Sequence, residues 1–226
     1  MFAKFRKRSH KLERLDTGDY TAAEYDRWQY EMRFIHRIFG EGRALRKALL
    51  PEIMSSGEET ISLLDIGAGS GELLRMVENW LPNRRKVLIG ADLNVRAVRT
   101  MRLAGIKTLR CDAFRLPFAD DSFDHVICSL FLHHLTNKEG GKLLAEMGRV
   151  ARRGIIAIDL HRSPVPYYFY LFVGRFFLQK FTREDGSLSI LRSFKPGELH
   201  NMACQAGLKS FTVARSAAYR LVLSGK

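Results

Sequence analysis

From residue 61 onward, short apolar runs alternate with stretches in which apolar residues return every three or four positions, the pattern of strands separated by helices. The runs cover 61–66, 86–91, 107–110, 125–130 and 155–159. Helical spacing covers 72–81, 94–105 and 137–152, the last weakened by Gly140 and Gly141. A helix over 196–206 and strands over 211–214 and 219–223 follow. This alternation predicts an open α/β fold. Upstream, Tyr25, Trp28, Met32, Ile35 and Phe39 recur at helical steps, predicting a helix from Thr21 to Gly40. A second helix over 43–50 is expected to stop at Pro51. Such a pair packs on the sheet or covers a ligand mouth, and the core-like spacing of the stripe puts packing first, with Tyr25, Trp28 and Tyr30 kept as candidate substrate contacts. Residues 1–18 are basic and polar and predict a disordered or surface arm. Residues 165–178 carry more aromatics than one helix face can bury, which predicts a lid over a hydrophobic ligand.

The stretch Leu63-Leu64-Asp65-Ile66-Gly67-Ala68-Gly69-Ser70-Gly71-Glu72-Leu73-Leu74 reads as strand, glycine turn and helix start. Such a turn brings free N–H groups of a helix amino end close to a ligand. It lacks the Gly-Lys-Ser/Thr of a phosphate-binding P-loop. Its D-x-G-x-G-x-G spacing also departs from the G-x-G-x-x-G of dinucleotide sites. An acid beside the loop repels a pyrophosphate and suits a cationic ligand. Asp92 closes the second strand about 20 residues on, where open α/β nucleoside sites place the acid that accepts from ribose hydroxyls. Asp112 ends the third strand, with Ala113 and Phe114 after it. Alone it reads as a loop-capping acid; with Asp65 and Asp92 at regular strand ends it reads as a crevice acid.

The 226 residues suffice for one α/β domain with an appendage. The formal net charge of +13 raises nucleic acid or an anionic membrane surface as a partner, and much of the excess lies in Lys4, Arg6, Lys7, Arg8, Lys11 and Arg14. Three cysteines without C-x-x-C spacing indicate neither a disulfide framework nor a zinc site. With no secretory signal and no apolar run of the roughly 20 residues that span a bilayer, a cytoplasmic location is expected.

The glycine loop resembles motif I of the class I S-adenosylmethionine-dependent methyltransferases. Leu116-Pro117-Phe118-Ala119-Asp120-Asp121-Ser122-Phe123-Asp124, followed by Phe131-Leu132-His133-His134-Leu135, resembles the small-molecule group of the ubiquinone and menaquinone biosynthesis type. Stretches 159–164 and 185–194 resemble a subgroup encoded beside type III polyketide synthases. The resemblance implies a Rossmann-like, doubly wound, seven-stranded and mostly parallel sheet. Residues 1–58 would be a basic arm and helical extension, 59–226 the cofactor-binding domain, and 163–195 a lid insertion. It implies S-adenosylmethionine as cofactor, held by Asp65, Gly67, Ala68, Gly69, Gly71, Asp92, Leu93, Asp112, Ala113, Phe114, Ser129 and Leu130. It also implies a hydrophobic small-molecule acceptor over the ends of strands four and five, which nominates His133, His134, Asp159, His161 and Arg162. Histidine suits proton removal near neutral pH; the two adjacent histidines are expected to face different sides, one of them structural. Arg162 would hold an acceptor oxygen or pair with Asp185 or Glu184. No metal and no specific nucleic acid are expected, and peripheral contact with an anionic inner membrane surface is. The alternatives are an RNA or protein methyltransferase and a non-catalytic cofactor-binding protein on the same fold; Ser129-Leu130-Phe131-Leu132 stands where base-methylating enzymes carry Asp/Asn-Pro-Pro-aromatic.

Overall fold

The computed structural model describes residues 3–38 and 40–226. Among them, seven strands form one sheet: β1 (Thr60–Ile66), β2 (Arg85–Asp92), β3 (Lys107–Arg110), β4 (Phe123–Ser129), β5 (Ala151–Leu160), β6 (Phe211–Ser216) and β7 (Arg220–Gly225). Their order is β3-β2-β1-β4-β5-β7-β6. Strands β1 to β5 pair in parallel, and β7 is antiparallel to both of its neighbours. The order reverses between β1 and β4, so a crevice opens beyond their carboxyl ends.

Helices α1 (Arg14–Thr17), α2 (Ala22–Ile38), α3 (Glu41–Ser55), α4 (Glu72–Trp80), α5 (Val95–Leu103), α6 (Asn137–Val150), α7 (Pro164–Phe177), α8 (Lys180–Arg192) and α9 (Pro196–Gln205) surround the sheet. Because side chains alternate along a strand, each central strand buries both faces. On one face Leu64, Ile66, Val126 and Ile155 meet Leu143 and Met147 of α6 and Leu199 of α9. On the other, Ile61, Leu63, Ile127 and Ile156 meet Leu45, Leu49 and Ile53 of α3 and Leu74 and Val77 of α4. Gly140, which weakens α6 by propensity, has a packing reason: a Cβ there would lie 2.5 Å from Met202 Sδ of α9.

The Leu116 to Asp124 run holds the amino-terminal edge of the sheet. Asp124 accepts from the Ser62 N–H (2.9 Å) and hydroxyl (2.7 Å) and pairs with Arg152 (2.6 Å). Burial pushes its carboxyl up, yet the Arg152 and Ser62 bonds outweigh it and hold the group well below the usual carboxylate range. Arg149 of α6 donates to the Phe118 and Leu116 carbonyls.

Four expectations change. Pro51 does not end α3, which continues to Ser55; Pro51 is exposed, and burial of Ile53 holds the extra turn despite the lost backbone bond. The aromatic insertion forms one helix, α7, whose excess aromatics stay in solvent, followed by α8. The basic arm is ordered: Phe5 is buried against Tyr167, Arg8 donates to the His133, Leu135 and Arg192 carbonyls, and Asp185 accepts from the Arg14 (3.0 Å) and Leu15 (2.9 Å) N–H groups that open α1. Helix α2 packs on α3 and α8 and faces the crevice instead of lying on the sheet. The Phe39 end of its stripe lies outside the described residues.

Candidate active site

The loop after β1 is shaped by its glycines. Gly67, Gly69 and Gly71 all have left-handed φ, of 68°, 55° and 73°. A Cβ on Gly71 would also press on Ile106 Cδ1, so with its left-handed φ this position disfavours a side chain. The N–H groups of Gly67 and Ala68 donate to the Ala91 carbonyl (2.8 and 3.2 Å), tying the loop to β2. Asp92 fixes the tip: its Oδ2 accepts from the Gly69 N–H (2.9 Å) and its Oδ1 from the Asn94 N–H (2.8 Å). A carboxylate offers about four acceptor positions, so capacity remains for a ligand.

These residues border a cavity of about 640 Å³. Asp65, Gly67, Ala68, Gly69, Asp92, Leu93, Asp112, Ala113, Phe114, Ser129 and Leu130 all line it; Gly71 lies just behind, shaping the loop. Asp112 also caps locally, accepting from the Phe114 N–H (2.9 Å). Leu130 holds a left-handed φ of 51° as the chain leaves β4, a conformation that costs a branched residue energy. Burial, and then the neighbouring Asp92, push the Asp65 carboxyl well above its ordinary range; burial likewise raises Asp92. Two acids without a neutralising cation among the described residues make this end of the cavity complementary to a positive ligand group. The Ser129 hydroxyl is buried and unpartnered beside it.

Across the cavity, α2 supplies Tyr25, Trp28, Gln29 and Met32, and the arm supplies Leu12, Leu15 and Asp16. Tyr30 is exposed and touches neither cavity. A second cavity, of about 370 Å³ and mostly apolar, adjoins the first, and Leu15, Trp28, Met32, Leu130 and His134 line both. Its far wall comes from Val165, Pro166, Phe169 and Tyr170 of α7 and from Thr182, Asp185, Ser189 and Ile190 of α8.

The polar end of this second cavity holds Glu13 and His133. His133 Nδ1 lies 2.7 Å from Asp159 Oδ1, and the His133 N–H donates to Asp159 Oδ2 (2.9 Å). Asp159 is fully buried: burial pushes its carboxyl up, but the His133 ring and the His133 and Leu160 N–H groups outweigh this and hold it below its ordinary value. An ionised Asp159 makes Nδ1 the ring's donor and leaves Nε2 directed at Glu13 Oε1, 3.9 Å away. Glu13 is buried, its Oε1 has no hydrogen-bond partner, and burial pushes its carboxyl up to about 7 against the nearby His134 and Arg192. His134 forms a second such pair, Nδ1 to Asp16 Oδ1 at 2.6 Å. Contrary to expectation, the adjacent histidines face the same cavity, their rings 4.3 Å apart; a tight 3-10 turn over Leu132–His134 and the Arg192 bonds to both carbonyls bring them together.

His161 and Arg162 line neither cavity. His161 sits near Arg215, Arg162 and Lys195, and burial together with these cations lowers its pKa. Arg162 is buried and bound to Glu198 (2.6 and 3.0 Å) and to the Phe5 and Ser193 carbonyls, a tie between the arm and α9 and not an acceptor clamp. Sequence reasoning passed over Glu13 and Asp16. They are the two acids of residues 1–18, and two acids in an otherwise basic arm were the signal that it carries partners for cations and histidines.

Residues 64–158 match the family model described as a methyltransferase domain. Over 99 residues the chain is 35% identical to a demethylmenaquinone methyltransferase of Roseiflexus sp., covering 40% of this chain and 38% of that protein. Over 91 residues it is 33% identical to the Mus musculus protein "Probable tRNA methyltransferase 9B", covering 40% of this chain and 19% of that one. The chain thus spans less than half the length of these curated relatives. Among solved structures, it superposes on the magnesium protoporphyrin IX methyltransferase of Synechocystis with a TM-score of 0.62 at 14% identity, over 94% of this chain and 98% of that one. Sheet order, glycine loop and matched segment agree: residues 64–158 are similar to a methyltransferase domain, and the chain has the Rossmann-like fold of that solved methyltransferase.

Proposed function

We propose that the protein transfers a methyl group from S-adenosylmethionine to the oxygen or carbon of a hydrophobic small molecule such as an alkyl-substituted phenol or quinol. The observation that carries this reading is the pair of adjoining cavities, acidic and glycine-lined on one side, apolar on the other, with a buried histidine at the apolar side's polar end. Asp65 would meet the cofactor's ammonium group, Asp92 its ribose hydroxyls, and Asp112 with Ala113 and Phe114 its adenine. The cofactor supplies a methyl carbon already activated by the positive sulfonium. The residues between the cavities have to hold the acceptor atom in line with that carbon, an effect worth about 7–11 kcal/mol. His133 Nε2 takes the acceptor's proton, Asp159 fixes the ring and its tautomer, and Glu13 stabilises the imidazolium that forms. The apolar helices exclude water from the acceptor.

The quinone-related relative supports a hydrophobic acceptor, and the small apolar cavity favours it over the tRNA suggested by the other relative. The test is transfer of labelled methyl from S-adenosylmethionine to a series of phenols and quinols of increasing alkyl length. Product should form and should favour the longer chains. A protein that binds the cofactor and methylates only RNA or protein would contradict the acceptor assignment.

A further inference from the structure

The outer face of α7 is inverted. Surface helices of globular proteins turn apolar residues inward and polar ones outward. Over Pro164–Phe177 the one charged side chain is Arg175. Exposed Val165, Tyr168, Phe172 and Phe176 recur at steps of three and four, giving one stripe that points into solvent. Phe172 and Phe176 are 69% and 65% exposed, and their rings meet edge to face at 5.7 Å. Phe177, 71% exposed, extends the stripe at its end. An apolar surface of this kind marks a contact with another phase or molecule.

Next to it the arm and α8 form a groove of about 530 Å³ whose lining includes Lys4, Arg6, Lys7, Arg8 and Lys11 and no carboxylate. Arg8 is committed to backbone carbonyls. The other four make no ion pair among the described residues. Lys4 joins the two features: its Nζ lies 3.8 Å from the Tyr167 ring centroid and 4.9 Å from that of Tyr168 on α7.

We infer that α7 and the arm form a peripheral binding surface for an anionic phospholipid bilayer, the stripe entering the boundary between headgroups and acyl chains and the groove receiving lipid phosphates. One surface then satisfies both features. A second copy paired stripe to stripe would bring two basic grooves together on chains of formal charge +13. A nucleic acid would fill the groove and leave the phenylalanines in water. No described helix is long and apolar enough to cross a membrane, so the contact is superficial. Val165 belongs both to the stripe and to the wall of the apolar cavity, so a lipid-soluble acceptor would reach the cavity from the bilayer; this last point rests on the function proposed above.

The full chain is floated, without cofactor, with vesicles of phosphatidylcholine alone or mixed with phosphatidylglycerol. Binding should be at least about tenfold tighter to the mixed vesicles, and Lys4→Glu with Lys7→Glu should remove that preference. Phe172→Ser with Phe176→Ser should weaken binding by about tenfold or more at either composition. A Phe172→Trp protein should show blue-shifted emission on vesicles, a readout that does not depend on a loss of binding. The inference is overturned by failure to float, by binding indifferent to the phenylalanine changes, or by a dimer in solution that those changes convert to a monomer. Cofactor titration without vesicles is a separate measurement, so the membrane surface and the methyltransferase reading fail independently.

Discussion

The two cavities are built in different ways. The acidic wall of the first is made at the carboxyl ends of β1, β2, β3 and β4, so its positions repeat with the strands and its geometry is largely backbone: glycine φ angles, N–H groups and carboxylates accepting from them. The apolar one is closed by the arm, α2, α7 and α8, segments distant in sequence, as in the Ser189 bond to Glu13 across 176 residues (2.9 Å). The acidic wall is specified locally and the apolar cavity chiefly by tertiary packing. The first can therefore be shared widely among proteins of this fold, while the second sets what each of them acts on.

The largest expected effect separates the two cavities. His133→Ala should lower turnover by about 10²–10⁴-fold while leaving cofactor affinity unchanged, because His133 faces the apolar side only. Single-turnover kinetics beside calorimetric titration would read both; a matching loss of cofactor affinity would merge the two sites. The reverse change, Asp92→Ala, should weaken cofactor binding by about 1.5–3 kcal/mol through lost charge-assisted bonds, since it also releases the Gly69 N–H. Unchanged affinity would remove Asp92 from the ligand shell.

Legibility in the sequence follows the same division. The strand and helix order, the strand ends and the crevice acids could be read because apolar periodicity and glycine spacing encode them residue by residue. All of the nominated cofactor positions except Gly71 line one cavity, and Gly71 shapes it from behind. The strongest motif after the loop, ending in Asp124, proved to be scaffold: it locks β1, β4 and β5 far from the crevice. The arm was legible only in part: Lys4, Arg6, Lys7 and Lys11 lie in solvent as their charge suggests, whereas Arg8 is half-buried among carbonyls and Glu13 is buried beside Ser189 and His133. Position in sequence also misled for His161 and Arg162. They follow β5, but the chain there turns toward α9 and the arm, and Arg162 finds Glu198.

Two smaller effects concern protons. The Asp65 carboxyl must be ionised to hold an ammonium group, and burial raises its pKa. Cofactor affinity should therefore decline as pH falls and begin to do so above the ordinary aspartate range, by up to about tenfold per pH unit below the raised value. Titrations at successively lower pH would show it, and Asp65→Asn should flatten the dependence at a lower overall affinity. On the apolar side, an ionised Glu13 is needed beside the His133 imidazolium. Turnover should rise with pH through about 7, and Glu13→Gln should remove that inflection while cofactor affinity keeps its own pH dependence. An unaltered profile would leave Glu13 a purely structural group.

The most direct measurement is calorimetric titration of the wild-type chain with S-adenosylmethionine and, separately, with NAD. Paired acids beside a glycine loop lacking G-x-G-x-x-G spacing predict saturable binding of the sulfonium cofactor and none of the pyrophosphate-bearing one. Tight binding of NAD without binding of S-adenosylmethionine would contradict the account at its base.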